Sequence, residues 1–439
     1  MMINREALRR HLPQEGEHWD VLVAGAGPAG LGAALAAARL GARTLVLEAR
    51  SALGGEAPLG LWMPVNRLQL DLGSRGGVHQ TLVEKIRSLG DFSSFPVPED
   101  GNNGDGLSVH PEYFKQACFE ALEEAGCHYR LYSPVTGTLL DGDRVTGVSV
   151  TGKNGVEDFT ADVVVDATGD GDVAYHAGAQ MVTGREEDGL FMPQTLGFAL
   201  CNVDVERILE FRSRHEKEFY DIVARAAQEG YFTLKSYWIS RTTIPGAVFL
   251  NTSGTGLGPL DGTKGGDLTL SEREGLQAAL DFVAIARRYA IPGLEHCHLL
   301  RTGAQVGVRE TRRIVGEYVF TAEDAQACRR FPDVVSRKYG AVDAIYYFAR
   351  MGSGCDYPYR SLLPRCIENL LVAGRCGSAT HLGHASGKSM GNMMGLGQAA
   401  GVAAALCAAR GIAPRALEAK AVQDVLVGWG VKLFDEWAT

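Results

Sequence analysis

Residues 20–48 read DVLVAGAGPAGLGAALAAARLGARTLVLE: a strand, a glycine turn, a helix and a second strand closed by a carboxylate. Val21 to Ala24 make a short apolar run, as suits a strand buried on both faces. Gly25, Gly27 and Gly30 follow in GxGxxG spacing. The first permits a tight turn, the second lets backbone approach a pyrophosphate, and the third lets the helix pack close to the strand. Pro28 and Ala29 open that helix, whose N-terminus offers N–H groups and a positive dipole end to phosphates. Thr44 to Leu47 form the second strand, and Glu48 lies 23 residues beyond Gly25, placed to accept hydrogen bonds from an adenosine ribose. A carboxylate there also repels a 2′-phosphate, which argues against NADP. The whole arrangement in register identifies a dinucleotide site where an isolated GxGxxG would not.

Three further stretches narrow the dinucleotide. EARSALGGEAP (48–58) carries Ala49, Arg50, Gly54, Gly55 and Glu56 directly after the acid. VVVDATGDGD (163–172) is an apolar strand running into Ala167, Thr168 and Gly169. NLLVAGRCGSATHLGHASGKSMGNMMGLGQAAG (369–401) is a strand, then Gly374 and Arg375, then a glycine-rich loop and a small-residue helix. With these, the chain resembles the glutathione-reductase-like FAD superfamily. VGVRETRRIVGEYVFT (306–321) and YPYRSLLP (357–364) resemble the broad bacterial group of FAD-dependent oxidoreductases. The resemblance is scattered from about residue 20 to 411. It implies FAD, expected to be held noncovalently, with covalent attachment to a histidine, cysteine or tyrosine near the site left open. The segment after Glu48 would follow the pyrophosphate and ribityl chain, and Ala167 to Gly169 would lie beside the cofactor. The Val135 backbone would lie near adenine, and Gly391, Asn392 and Met393 would offer N–H groups to the flavin pyrimidine.

Composition bounds the rest. The 439 residues are too many for one simple core, and 46% hydrophobic with 22% charged content suits a soluble globular chain. A net charge of −9 without a basic stripe makes nucleic acid and anionic membrane poor partners. Nine cysteines without a CxxC form neither a metal nor a disulfide framework, and exclude a redox-active close pair. Unpaired cysteines, an N-terminus without an apolar signal core, and an apolar run (397–409) too short to span a bilayer lead to a cytoplasmic expectation.

The expected fold is α/β: an FAD-binding Rossmann-like, three-layer domain with an inserted mixed α+β substrate domain. A lead-in (1–18) precedes the first part of the FAD-binding domain (19–172). The substrate-binding or cap domain (173–356) follows, and 357–439 returns to the FAD-binding domain with C-terminal helices. Strands are expected at 128–133, at 139–150 as a hairpin about Asp141 to Asp143, and at 162–166. Helices are expected over 111–125, 205–229 and 272–289, further strands at 198–203 and 247–251, and an exposed polar turn at 101–106.

Chemistry is placed in four clusters. In the loop 375–388, His381 and His384 suit a general base, although packing or hydrogen bonding is the commoner use of such histidines. Two histidines three apart lack a third ligand, so no metal is expected. Lys388 reads as a solvent-facing loop lysine, with a charge beside reduced flavin as the sharper alternative. Tyr359 and Arg360 match the family segment near the flavin, and Arg360 either grips a substrate carboxylate or pairs with a neighbouring acid. Cys355 and Cys376 are flavin-side thiols or, more commonly, small buried hydrophobes. Arg309, Glu310 and Arg313 meet on one face if helical, which with Arg312 reads as an ion-pair network joining the two domains. Gly254, Gly256 and Gly258 imitate a nucleotide turn, but Pro259 and GTKGGD follow, so they read as a loop.

The expected function is dehydrogenation or reduction of a small organic metabolite by hydride transfer to or from flavin N5. Flavin monooxygenation is the first alternative, weakened because Ala373-Gly374-Arg375 replaces the GD signature of those enzymes. A dinucleotide-binding scaffold without flavin turnover is the second. The electron acceptor is undefined, and a homo-oligomer stays open.

Overall fold

Strand His18–Ala24 is the hub of a seven-stranded sheet. It pairs in parallel with Thr44–Leu47 on one side and with Gly155–Asp166 on the other. Parallel His128–Arg130 extends one edge, and parallel Leu370–Val372 docks on the end of Gly155–Asp166. The first half of that long strand turns outward and pairs antiparallel with Arg144–Gly152, which pairs with Val135–Asp141. The hairpin thus begins earlier, and its third strand is longer, than residues 139–150 and 162–166 suggest. From Asp158 to Ala161 the additional residues alternate exposed and buried side chains, as a strand with one wet face does. The computed structural model describes residues 5–66, 76–90, 92–95, 106–253, 260–344, 347–351 and 354–434. Residues 101–105 of the expected polar turn and Gly254, Gly256 and Gly258 lie outside these.

Two helices made of small residues stack behind the hub. Pro28–Arg39 and Met390–Arg410 are buried along most of their lengths. A methyl group added at Gly397 would strike the Ala29 backbone, and one at Gly401 the Ala33 backbone. Backbones therefore touch directly, which needs glycine rather than merely tolerating it. By length and composition Met390–Arg410 is apolar enough to cross a membrane, longer than the 397–409 run suggests, yet 83% of its apolar window is buried inside the protein.

A separate antiparallel sheet has the order Ser236–Arg241, Ala247–Ser253, Phe198–Cys201, His298–Thr302. Its own core includes Phe198, Phe219, Tyr237 and Phe282. The single helix expected over 205–229 is two, Val205–Arg214 and Glu216–Gln228, because the His215 backbone leaves the helical region. The helix expected from 272 starts earlier, as Gly265–Arg288. Segment 306–313 is extended, so Arg309, Glu310 and Arg313 do not share a helical face: Gly307 bridges to Thr195, and Arg312–Ile314 pairs with Met181–Thr183.

Candidate active site

A cavity of about 490 Å³ opens at the carboxyl ends of the parallel strands and reaches the second sheet. That lies within the roughly 300–1,000 Å³ of small-molecule and cofactor sites. One end is built by the opening motif. Gly25 has φ +94°, and a Cβ there would strike the Ala167 carbonyl. Gly30 does not line the cavity; a Cβ on it would strike the Gly25 carbonyl, so it supports the turn from behind. Gly27 is different. It lines the cavity, and a Cβ on it would meet nothing within 4 Å, projecting into open space.

Glu48 is buried at the same end. Its Oε2 accepts from the Ala26 N–H at 2.7 Å and its Oε1 from the Arg50 N–H at 2.9 Å. A carboxylate has about four acceptor sites, so lone pairs remain for ribose hydroxyls. Pro28, Ala29, Ala49, Arg50, Gly55, Val135, Ala167, Thr168, Gly169, Gly374 and Arg375 also line the cavity. Arg375 is held by Asp170 at 2.8 Å and donates to Thr311 at 2.9 Å. Gly54 does not reach the cavity; a Cβ there would strike the Phe114 ring.

These residues fit an anionic dinucleotide carrying a ring system. Helix Pro28–Arg39 has no side-chain cap at its cavity-facing N-terminus, which suits a phosphate. At the start of Met390–Arg410, Ser389 lines the cavity with a buried Oγ that has no partner among the described residues. Met393 lines the wall beside it. Gly391 and Asn392 do not. Asn392 instead accepts from the Tyr339 N–H at 3.2 Å and donates to the Tyr339 carbonyl at 2.9 Å, fixing Tyr339 on the wall.

The far end brings together Glu56, Asn251, Arg309, Asp343 and Lys388. A Cβ at either Gly60 or Gly307 would collide with the Glu56 carboxylate, so two glycines make its berth. Burial pushes Glu56 up to about 7, even though Arg50, Arg375 and Arg309 pull the other way. Lys388 is half-buried on the cavity wall rather than fully solvent-facing. Its ammonium donates to the Asp343 carbonyl, and burial lowers it to about 8, with Asp343 opposing and Arg309 adding to the fall.

The residues expected to be catalytic lie elsewhere. None of His381, His384, Tyr359 and Arg360 lines the cavity. His381 Nδ1 is 2.8 Å from Glu310 in a buried cluster, and burial with Arg313 pulls it down to about 4. His384 is buried, its Nε2 2.9 Å from the Arg309 carbonyl, and burial holds it well below its usual range. Tyr359 is buried and donates to the Pro414 carbonyl at 2.8 Å. Arg360 faces solvent and pairs with Asp333 at 2.9 Å. Cys355 and Cys376 are buried off the cavity, and burial pushes Cys355 up to about 12. Sequence reasoning missed Asn251, Asp343 and Ser389, and misassigned Arg309 and Lys388.

The sequence profile of a family described as FAD-dependent oxidoreductases matches residues 20–426. A digeranylgeranylglycerophospholipid reductase from Picrophilus torridus is 31% identical over 160 residues, 35% of this chain and 39% of that protein. An anhydrotetracycline monooxygenase from Streptomyces rimosus is 35% identical over 159 residues, 35% of this chain and 31% of that protein. The chain thus aligns with less than half the length of either relative. The crystal structure of a geranylgeranyl bacteriochlorophyll reductase-like protein from Thermoplasma acidophilum superposes with a TM-score of 0.49 at 15% identity, covering 96% of this chain and 84% of that one.

Proposed function

We infer that this chain, which belongs to the family of FAD-dependent oxidoreductases, dehydrogenates or reduces a small organic molecule held at the far end of the cavity. The observation that carries this reading is continuity: the Gly25–Gly27 cradle and the Glu56–Arg309–Lys388 wall border one space. When bound, FAD supplies two-electron hydride exchange at N5. The chain supplies the rest. Gly25, Gly27, Glu48 and the uncapped helix N-terminus hold the nucleotide. Ser389 Oγ and Met393 stand at the start of helix Met390–Arg410, whose dipole favours negative charge nearby.

Glu56 supports hydride chemistry. A hydride that enters or leaves an organic substrate needs a matching proton, and a carboxyl near 7 gives or takes one at neutral pH. The hairpin of Ala341–Ala344 and Tyr347–Arg350 contributes Ala341, Asp343 and Phe348 to the wall.

The test begins with the visible spectrum of purified protein before and after acid precipitation. A yellow band that moves to the supernatant is expected, followed by its anaerobic bleaching or reoxidation with organic substrates. A colourless protein that takes up no FAD overturns the reading. Substrate that leaves the oxidised band unchanged but accelerates oxygen uptake by reduced enzyme moves the assignment to monooxygenation.

A further inference from the structure

The cations around the cavity differ in what balances them. Arg375 is paired with Asp170 at 2.8 Å. Arg309 and Lys388 take part in no ion pair among the described residues. Arg309 commits a single nitrogen. Its Nη2 donates to Thr195 Oγ1 at 3.2 Å and lies 3.4 Å from both Asn251 Oδ1 and the Thr252 carbonyl. Its Nε is buried without a partner, and its Nη1 makes no hydrogen bond among the described residues. Across the space, Lys388 has only the Asp343 backbone carbonyl among the described residues. Burial disfavours the charge on both groups, and Arg309 further disfavours that on Lys388. Asp343 and Glu56 temper the field without pairing with either cation. A bound anion would satisfy open donors and relieve two desolvated charges together.

We propose that Arg309 and Lys388 form an anion subsite at the far end of the cavity and that the substrate is a small molecule bearing a carboxylate. The proposal rests on substrate occupying the far end, as inferred above. The Arg309 Nη1 donor and the Lys388 ammonium offer charge-assisted hydrogen bonds to carboxylate oxygens. Asn251 and Thr195 offer neutral polar contacts around it, and Met63 and Phe348 supply apolar wall for the rest of the molecule. The role of gripping a carboxylate, which sequence offered to Arg360, passes to Arg309, because Arg360 is already paired with Asp333 at the surface.

The rival source of negative charge is the cofactor's own pyrophosphate, and the experiment separates the two. FAD-loaded protein is titrated with benzoate and acetate, with their amides benzamide and acetamide, and with inorganic phosphate, following the flavin absorption band. Carboxylates are expected to shift the band saturably, and amides are not. Arg309→Met is expected to weaken the carboxylate response at least about tenfold with flavin content and FAD affinity unchanged. Lys388→Met, on another wall, should weaken the same response and guards against a local folding defect at Arg309. The proposal is overturned if Arg309→Met lowers FAD affinity with Lys388→Met, which would assign both cations to the cofactor. It is equally overturned if amides or phosphate bind as well as carboxylates, or if no carboxylate response depends on Arg309. Failure of the underlying functional reading looks different: protein without flavin, or flavin that responds to carboxylates yet exchanges hydride with no organic substrate.

Discussion

Arg309 and Glu310 are neighbours in the chain and face opposite sides of one extended segment. Arg309 lines the cavity, whereas Glu310 is 1% exposed and accepts from Arg313, from the Met192 N–H at 2.9 Å and from His381 at 2.8 Å. One charge thus serves the site and the other the frame. The frame then steadies the site: His384, on the same short helix as His381, lies against the Arg309 carbonyl.

His381 is therefore expected to matter for stability and not for the flavin. His381→Ala removes a hydrogen bond to a buried carboxylate and should cost about 1.5–3 kcal/mol. Urea unfolding of the FAD-loaded variant measures the loss. A large change in flavin reduction rate at unchanged stability would contradict this assignment.

Gly25 and Gly27 should fail in different ways when changed to alanine. Gly25→Ala forces φ +94° and a clash with the Ala167 carbonyl, with strain of about 1–3 kcal/mol visible in the melting of apoprotein. Gly27→Ala meets nothing in the protein and has an ordinary φ of −69°. It should leave apoprotein melting intact and weaken FAD binding, as read by quenching of flavin fluorescence.

Glu48→Ala strips a cap from the Ala26 and Arg50 N–H groups and the acceptor meant for ribose. FAD affinity should fall by about 10- to 100-fold. An unchanged dissociation constant in the same titration would remove Glu48 from the nucleotide site.

Glu56 gives a signed pH prediction. Its folded value of about 7 lies above the ordinary 4.5, so the folded protein holds more protons than the unfolded chain between those values. Its contribution to apoprotein stability therefore falls as pH rises from 4.5 through 7. Glu56→Gln should flatten that fall in melting temperature measured across this range. In the loaded enzyme, the same variant should remove the transition near 7 from the pH profile of flavin reduction.

Arg360→Ala removes an exposed pair with Asp333 and should change stability by no more than about 1 kcal/mol, leaving flavin reduction untouched. A large loss in flavin reduction rate would return Arg360 to the chemistry.

The opening motif was legible because its constraints are local. The positions of Gly25, Gly27, Gly30 and Glu48 relative to one strand and one helix follow from spacing alone, and the second strand fell at Thr44–Leu47 as read. The strand before Gly374 and the small-residue helix after it were legible for the same reason. The far end of the cavity was not. Arg309 was visible as part of a charge cluster, but that cluster read as an ion-pair network joining two domains, with Glu310 and Arg313 as its partners. Extended pairing with Thr195 and with Met181–Thr183, partners more than a hundred residues away, undoes that grouping.

The sequence by itself determined that a dinucleotide is held here, because strand, turn, helix and acid lie within 29 consecutive residues and need no distant partner. Only the tertiary structure decided what stands opposite it. Glu56, Arg309, Asn251 and Lys388 come from four separate stretches of chain, and their burial, mutual fields and open donors arise only where those stretches meet. For the same reason His381, His384, Tyr359 and Arg360, reactive by residue type, are committed to the frame and the surface: each has a partner that only folding supplies.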